Sequence, residues 1–95
     1  MGAVLIFRDK KIKGGLIIEM VIWELGAPLE GCRHQFKYRL FCGSLDSGRC
    51  LVRYDNERGK GDHRHEADRE HVYQFISLER LFADFEKDVR EALKK

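Results

Sequence analysis

Ninety-five residues with a formal net charge of +2 leave room for one hydrophobic core, and they exclude a chain-wide basic coat that would bind nucleic acid by charge alone. Hydrophobic residues at 43% beside charged residues at 36%, with one proline, describe a folded globular chain and not a disordered one. Cys32, Cys42 and Cys50 are odd in number and contain no Cys-x-x-Cys pair, so a disulfide framework and a zinc ribbon are both disfavoured. Reduced thiols, a cytoplasmic location and no cofactor are therefore expected.

No membrane partner is expected either. Met1 to Phe7 is apolar but lacks the basic lead and cleavage site of a signal peptide. The longest apolar stretch, Leu16 to Leu25, is broken by Glu19 and Glu24 and falls short of the ~20 residues that span a bilayer.

In chain order, Val4-Leu5-Ile6-Phe7 reads as the core of a first strand from Ala3 to Arg8, turned by Asp9-Lys10-Lys11. Leu16 to Leu25 is short and rich in β-branched residues, which predicts a central strand. Its alternation sets Ile18, Met20 and Ile22 against Ile17, Val21 and Trp23. Gly26 to Gly31 is a loop around Pro28. Phe36, Tyr38, Leu40 and Cys42 then share one face of a third strand, with Lys37 and Arg39 on the other. A hairpin through Ser44 to Gly48 leads to a return strand with Cys50, Val52 and Tyr54 on one face and Leu51, Arg53 and Asp55 opposite.

Gly59 to Tyr73 is too polar for core and is expected to be a loop or an irregular edge extension. Ser77 is a good helix N-cap, Glu79 suits the first turn, and Ile76 is placed to staple onto Leu81. Leu78, Leu81, Phe82, Phe85, Val89 and Leu93 form an apolar stripe at helical spacing, and Lys94 and Lys95 suit the helix end. The whole predicts a single α+β domain over 1–95, an antiparallel meander of about four strands packed against one C-terminal helix.

The chemistry concentrates in Tyr54 to His65. His63 and His65 stand two residues apart, so an extended chain projects both imidazoles to one side about 7 Å apart. That spacing can bracket a phosphate, with one ring as base and the other as acid. Lys60 and Arg64 can supply positive charge, Gly59 and Gly61 can bring backbone N–H groups to an anion, and Asp62, Asp55 or Tyr54 can orient an imidazole. Lys37 and Arg39, with Arg33, His34, Phe36 and Tyr38, form a basic and aromatic strand that matters only if it lies beside this stretch. Each residue also has a plain reading as a solvated charge, a turn glycine or ordinary strand alternation. A metal set of His63, His65 and Asp62, completed by His71 or His34, is the competing chemistry, and it lacks any recognised ligand spacing.

Phe36-Lys37-Tyr38-Arg39-Leu40, Tyr54-Asp55-Asn56, Gly59-Lys60-Gly61-Asp62-His63-Arg64-His65, and Phe75, Ser77-Leu78, Leu81, Phe85 and Asp88-Val89 together resemble the TumE-type toxins of bacterial toxin-antitoxin pairs. The resemblance runs from about Arg33 to Val89. It implies a small cytoplasmic toxin held by a cognate antitoxin that is a DNA-binding protein, and it carries Lys60, Asp62, His63, Arg64 and His65 over as site residues. Ribonuclease activity, with RNA or the ribosome as target, follows by analogy with toxins of this size. A non-enzymatic nucleic-acid- or antitoxin-binding module and a metal-dependent hydrolase are the alternatives, and the size is compatible with a homo-oligomer.

Overall fold

The computed structural model describes residues 2–94. Six strands follow one another, β1 (Val4–Lys13), β2 (Leu16–Glu24), β3 (Phe36–Ser44), β4 (Cys50–Glu57), β5 (Gly61–Glu66) and β6 (Arg69–Val72), and one helix ends the chain, α1 (Leu78–Leu93). The strands form one antiparallel sheet in which spatial order equals chain order. The α+β meander with a C-terminal helix is as expected, but it has six strands and not about four. Two segments account for the difference. The expected loop Gly59 to Tyr73 is mostly β5 and β6, and β1 runs through the Asp9-Lys10-Lys11 charges to Lys13 because the turn is at Gly14-Gly15.

Period-two alternation divides the sheet cleanly. Leu16, Ile18 and Ile22 of β2, Tyr38, Leu40 and Cys42 of β3, and Val52 and Tyr54 of β4 are buried together with Leu81 and Phe85 of α1. Among the described residues, no helix covers the opposite face of the sheet. Ser77 caps α1 by accepting the Arg80 N–H at 3.1 Å. Ile76, however, stays 64% exposed, so it adds little as a staple. Lys94 closes the helix through its own backbone N–H, bonded to Ala92 and Glu91 carbonyls; the matching expectation for Lys95 lies outside the described residues.

A register shift beside Cys42 lets Cys50 pair with Gly43 while Val52 pairs with Cys42. Cys50 therefore leaves the face it was expected to share with Val52, and all three cysteines are free. Burial raises the pKa of each thiol, with the Asp62 carboxylate a further cause at Cys32. Asn56 is fully buried near the end of β4, where its side chain replaces strand pairing: Nδ2 donates to the Phe36 carbonyl at 2.6 Å and Oδ1 accepts the Tyr38 N–H at 3.0 Å. No helix among the described residues is long and apolar enough to cross a membrane.

Candidate active site

Strand β5 carries Asp62, His63, Arg64 and His65, and its pleat sends them in two directions. His63 and His65 project from the helix-free face. Asp62 and Arg64 project toward α1, so the sequence motif is split between two different environments.

On the helix-free face the register aligns side chains into two rows across the sheet. One row runs Arg39, Asp55, His63, and the next runs Phe41, Arg53, His65, Glu70. Side chains directly opposite one another in an antiparallel pair lie about 5 Å apart, so these groups are in mutual reach. Arg53 Nε lies 3.1 Å from Asp55 Oδ2, with an angle too poor to count as a hydrogen bond. Arg39 lies over the Phe41 ring at 4.8 Å, and Lys37 donates to the Asn56 carbonyl. The basic strand β3 thus shares a face with the histidines, the condition under which its cations become relevant.

The two imidazoles are held differently. His63 Nε2 lies 2.8 Å from the Lys60 carbonyl, and a carbonyl only accepts, so Nε2 carries a hydrogen. The other nitrogen, Nδ1, is buried, has no hydrogen-bond partner among the described residues, and faces Glu70 Oε2 at 3.7 Å. His65 Nε2 lies 3.3 Å from the same Glu70 oxygen and 3.7 Å from Asp55 Oδ1. One carboxylate oxygen, on the edge strand β6, therefore sits between the two rings.

On the helix side, Arg64 Nε donates to Asp88 Oδ2 and to the Tyr54 hydroxyl oxygen, each at 3.0 Å, and the Tyr54 hydroxyl also donates to Asp88. Its Nη1 reaches Glu66 Oε1 at 3.5 Å. The Asp88 hydrogen bond, opposed by burial, raises the Arg64 pKa further above its ordinary value. A cleft of about 530 Å³ lies beside Arg64, but Glu66, Asp88 and Glu91 line it, an unfavourable surround for a phosphate. Arg64 and Tyr54 thus tie α1 to the sheet and do not face the histidines.

Asp62 is likewise committed elsewhere. Its Oδ1 accepts the Tyr38 hydroxyl at 2.7 Å and lies 2.8 Å from His34 Nε2. His34 Nδ1 accepts the Phe36 N–H at 3.1 Å, which leaves the ring hydrogen on Nε2, donated to Asp62. The ring stacks on Phe75 at 3.9 Å between centroids. Cys32, His34 and Asp62 are the one group of potential metal ligands whose donor atoms converge, within 4.8 Å, among the described residues. Both ring nitrogens of His34 are engaged without an ion, and the acceptor role of His34 Nδ1 is the reverse of the donor role that a ligating histidine uses. The His63, His65 and Asp62 set does not converge, since Asp62 is on the other face, and His71 pairs opposite Arg64 on that face too.

The glycines of the motif serve packing. Gly59 N–H donates to the Glu30 carbonyl at 2.7 Å and Lys60 N–H to the Glu57 carbonyl at 3.1 Å, so neither amide is free for an anion. Gly61, at φ +79°, passes so close to Gly31 that a Cβ there would stand 2.9 Å from the Gly31 carbonyl oxygen. The loop before β3 is thereby fastened to the turn before β5. Lys60 is exposed on that turn, 3.9 Å from Glu57.

Glu70 and Arg53 lie beside the histidines without belonging to the motif. The alternation of β4 places Arg53 on this face. Nothing local marked Glu70, because it is brought in by a hairpin with no glycine in its turn.

A family model described as Toxin TumE matches residues 5–93, nearly the whole chain and well beyond the Arg33 to Val89 stretch that carried the resemblance. No curated protein and no solved structure matches the chain.

Proposed function

The chain belongs to the TumE toxin family, which makes it the toxin of a toxin-antitoxin pair, and we propose that it acts in the cytoplasm by cleaving RNA on the helix-free face of the sheet. The supporting observation is the Glu70 carboxylate between His63 Nδ1 and His65 Nε2, at 3.7 and 3.3 Å. An anion already stands where a scissile phosphate would have to stand. Substrate displaces it, and the phosphate takes up the space between the rings.

In this reading the neutral His63 accepts the 2′-hydroxyl proton at Nδ1, the nitrogen left without a partner. The 2′-oxygen attacks phosphorus, the bond to the 5′-oxygen breaks, and protonated His65 gives its proton to that leaving oxygen. The products are a 2′,3′-cyclic phosphate and a 5′-hydroxyl. Asp55 remains beside His65 as a carboxylate for the imidazolium, 3.7 Å away. Arg53, Arg39 and Lys37 hold the phosphate and its neighbours, and Lys60 adds charge from the turn. Asp62 and Arg64 act indirectly, by fixing β5 to the loop and helix behind it. The antitoxin is a DNA-binding partner that holds the toxin inactive.

Total RNA after induction tests this. His63→Ala with His65→Ala should abolish both RNA decay and growth arrest, while Glu70→Ala keeps or increases them, because the competing carboxylate is gone. Undiminished toxicity in the double variant would remove the acid-base mechanism; growth arrest with intact RNA in the unmodified protein would favour a non-enzymatic binder.

A further inference from the structure

The two edges of the sheet differ. β6 is four residues long, whereas β1 has ten, and among the described residues no strand pairs with its outer side. Long edges are usually protected by charge, proline or a bulge, because their unpaired N–H and C=O groups template further pairing. In β1 that protection is uneven. Arg8, Asp9, Lys10, Lys11 and Lys13 guard the second half, while Val4, Leu5, Ile6 and Phe7 run uninterrupted at 61, 41, 42 and 38% exposure. A register shift between Leu5 and Phe7 is the irregularity of this half. Both faces of the strand are open, and β1 reaches α1 through Phe7, whose ring meets Phe82 edge-on at 5.3 Å.

A helix laid on one face would leave the side chains of the other face exposed. A strand laid along the edge satisfies the backbone row and brings side chains alongside both faces. Charge narrows its composition. Four cations in β1 oppose the single Asp9, and of these Arg8, Lys11 and Lys13 form no ion pair among the described residues, while Lys10 lies 3.7 Å from Glu19. A second copy of this chain would double that positive charge at the seam; an acidic segment would neutralise it.

We propose that β1 is a docking edge for an extended segment of the antitoxin, added antiparallel as a seventh strand. Its amino-terminal half is rich in Asp and Glu opposite Lys10 to Lys13, and its carboxyl-terminal half is apolar opposite Val4 to Phe7. The identity of the partner rests on family membership, and the proposal is independent of the RNA chemistry, which lies four strands away.

Two end-blocked ten-residue peptides serve as probes, one with acidic residues alternating with Thr and then Val and Ile alternating with Thr, the other with Lys in place of the acidic residues. Titrated into the full chain, the acidic peptide should shift backbone amide resonances of β1 and β2 and bind about tenfold more tightly than the basic one. The Lys11→Glu, Lys13→Glu double variant should reverse that preference, and both lysines are exposed and form no ion pair among the described residues, so the Lys10–Glu19 pair is kept. Absence of binding at millimolar peptide, shifts centred on other elements, equal affinity for the two peptides, or a free chain already dimeric through β1 would each overturn the proposal. None of these outcomes bears on RNA decay, so the two readings fail separately.

Discussion

Gly61 is the residue on which the site's rear support depends. Its φ of +79° lies in the region that favours glycine, and the nearest atom to an added Cβ is a backbone oxygen of Gly31, which cannot rotate away. Gly61→Ala is expected to cost about 2 to 4 kcal/mol, the sum of a strained backbone and a displaced loop. Urea unfolding of the two proteins measures it, and a loss below about 0.5 kcal/mol would mean that the loop yields freely. Three tyrosines, beside the three thiols, are expected to weaken the fold at alkaline pH. Burial, with hydrogen bonds to Asp62, Asp88 and Asp84, raises the phenol pKa of Tyr38, Tyr54 and Tyr73 above the usual 10.0. A folded pKa above the unfolded one means that the unfolded chain loses its protons first. The stabilisation is therefore complete below about pH 10 and is lost as pH rises above it toward the folded values. Unfolding midpoints measured from pH 8 to 12 should fall steeply above 10, and Tyr54→Phe should flatten that fall even if it lowers stability at pH 8.

At the scale of elements, β3 and α1 were legible because apolar residues mark their period. In β2 both Ile18, Met20 and Ile22 and the opposite Ile17, Val21 and Trp23 are apolar, so shortness and β-branching mark it as a strand, while Leu81 and Phe85 are the helix residues that are buried. Strand β5 was illegible for the opposite reason. Asp62 and Arg64 alternate with His63 and His65, so both faces are polar and the period carries no hydrophobic contrast. Its inward face is polar because Tyr38, Tyr54, His34 and Asp88 receive it with hydrogen bonds. The alternation rule nonetheless gave the histidines a common side, and it would have separated them from Asp62 and Arg64 had the strand been recognised. The β5-β6 turn hid itself as well, since Ala67 stands at φ 56° where Asn or Gly would signal a hairpin. Ala67→Gly should raise stability by about 0.5 to 1 kcal/mol by relieving that backbone position, less the entropy a glycine loses on folding. A shift in the thermal midpoint of a few degrees upward checks it, and a downward shift would show that Ala67 is not strained.

At the scale of the molecule, the proposed docking edge β1 and the proposed RNA site on β5 lie toward opposite ends of the sheet. With about 4.8 Å between neighbouring strands, β1 lies about 19 Å from β5. A partner docked on β1 alone does not cover the histidines; blocking them requires more of the partner to cross the open face. The position of β6 bears on the same face in another way. As a four-residue terminal strand with every residue exposed, it stands at the low end of the range of local opening free energies within a fold. Tyr73, bonded to the Asp62 carbonyl and to Asp84, secures the chain immediately beyond it. Fraying of β6 alone would carry Glu70 away from the imidazoles while the core stays intact, so on the proposed chemistry the exchange of carboxylate for phosphate needs only a local opening.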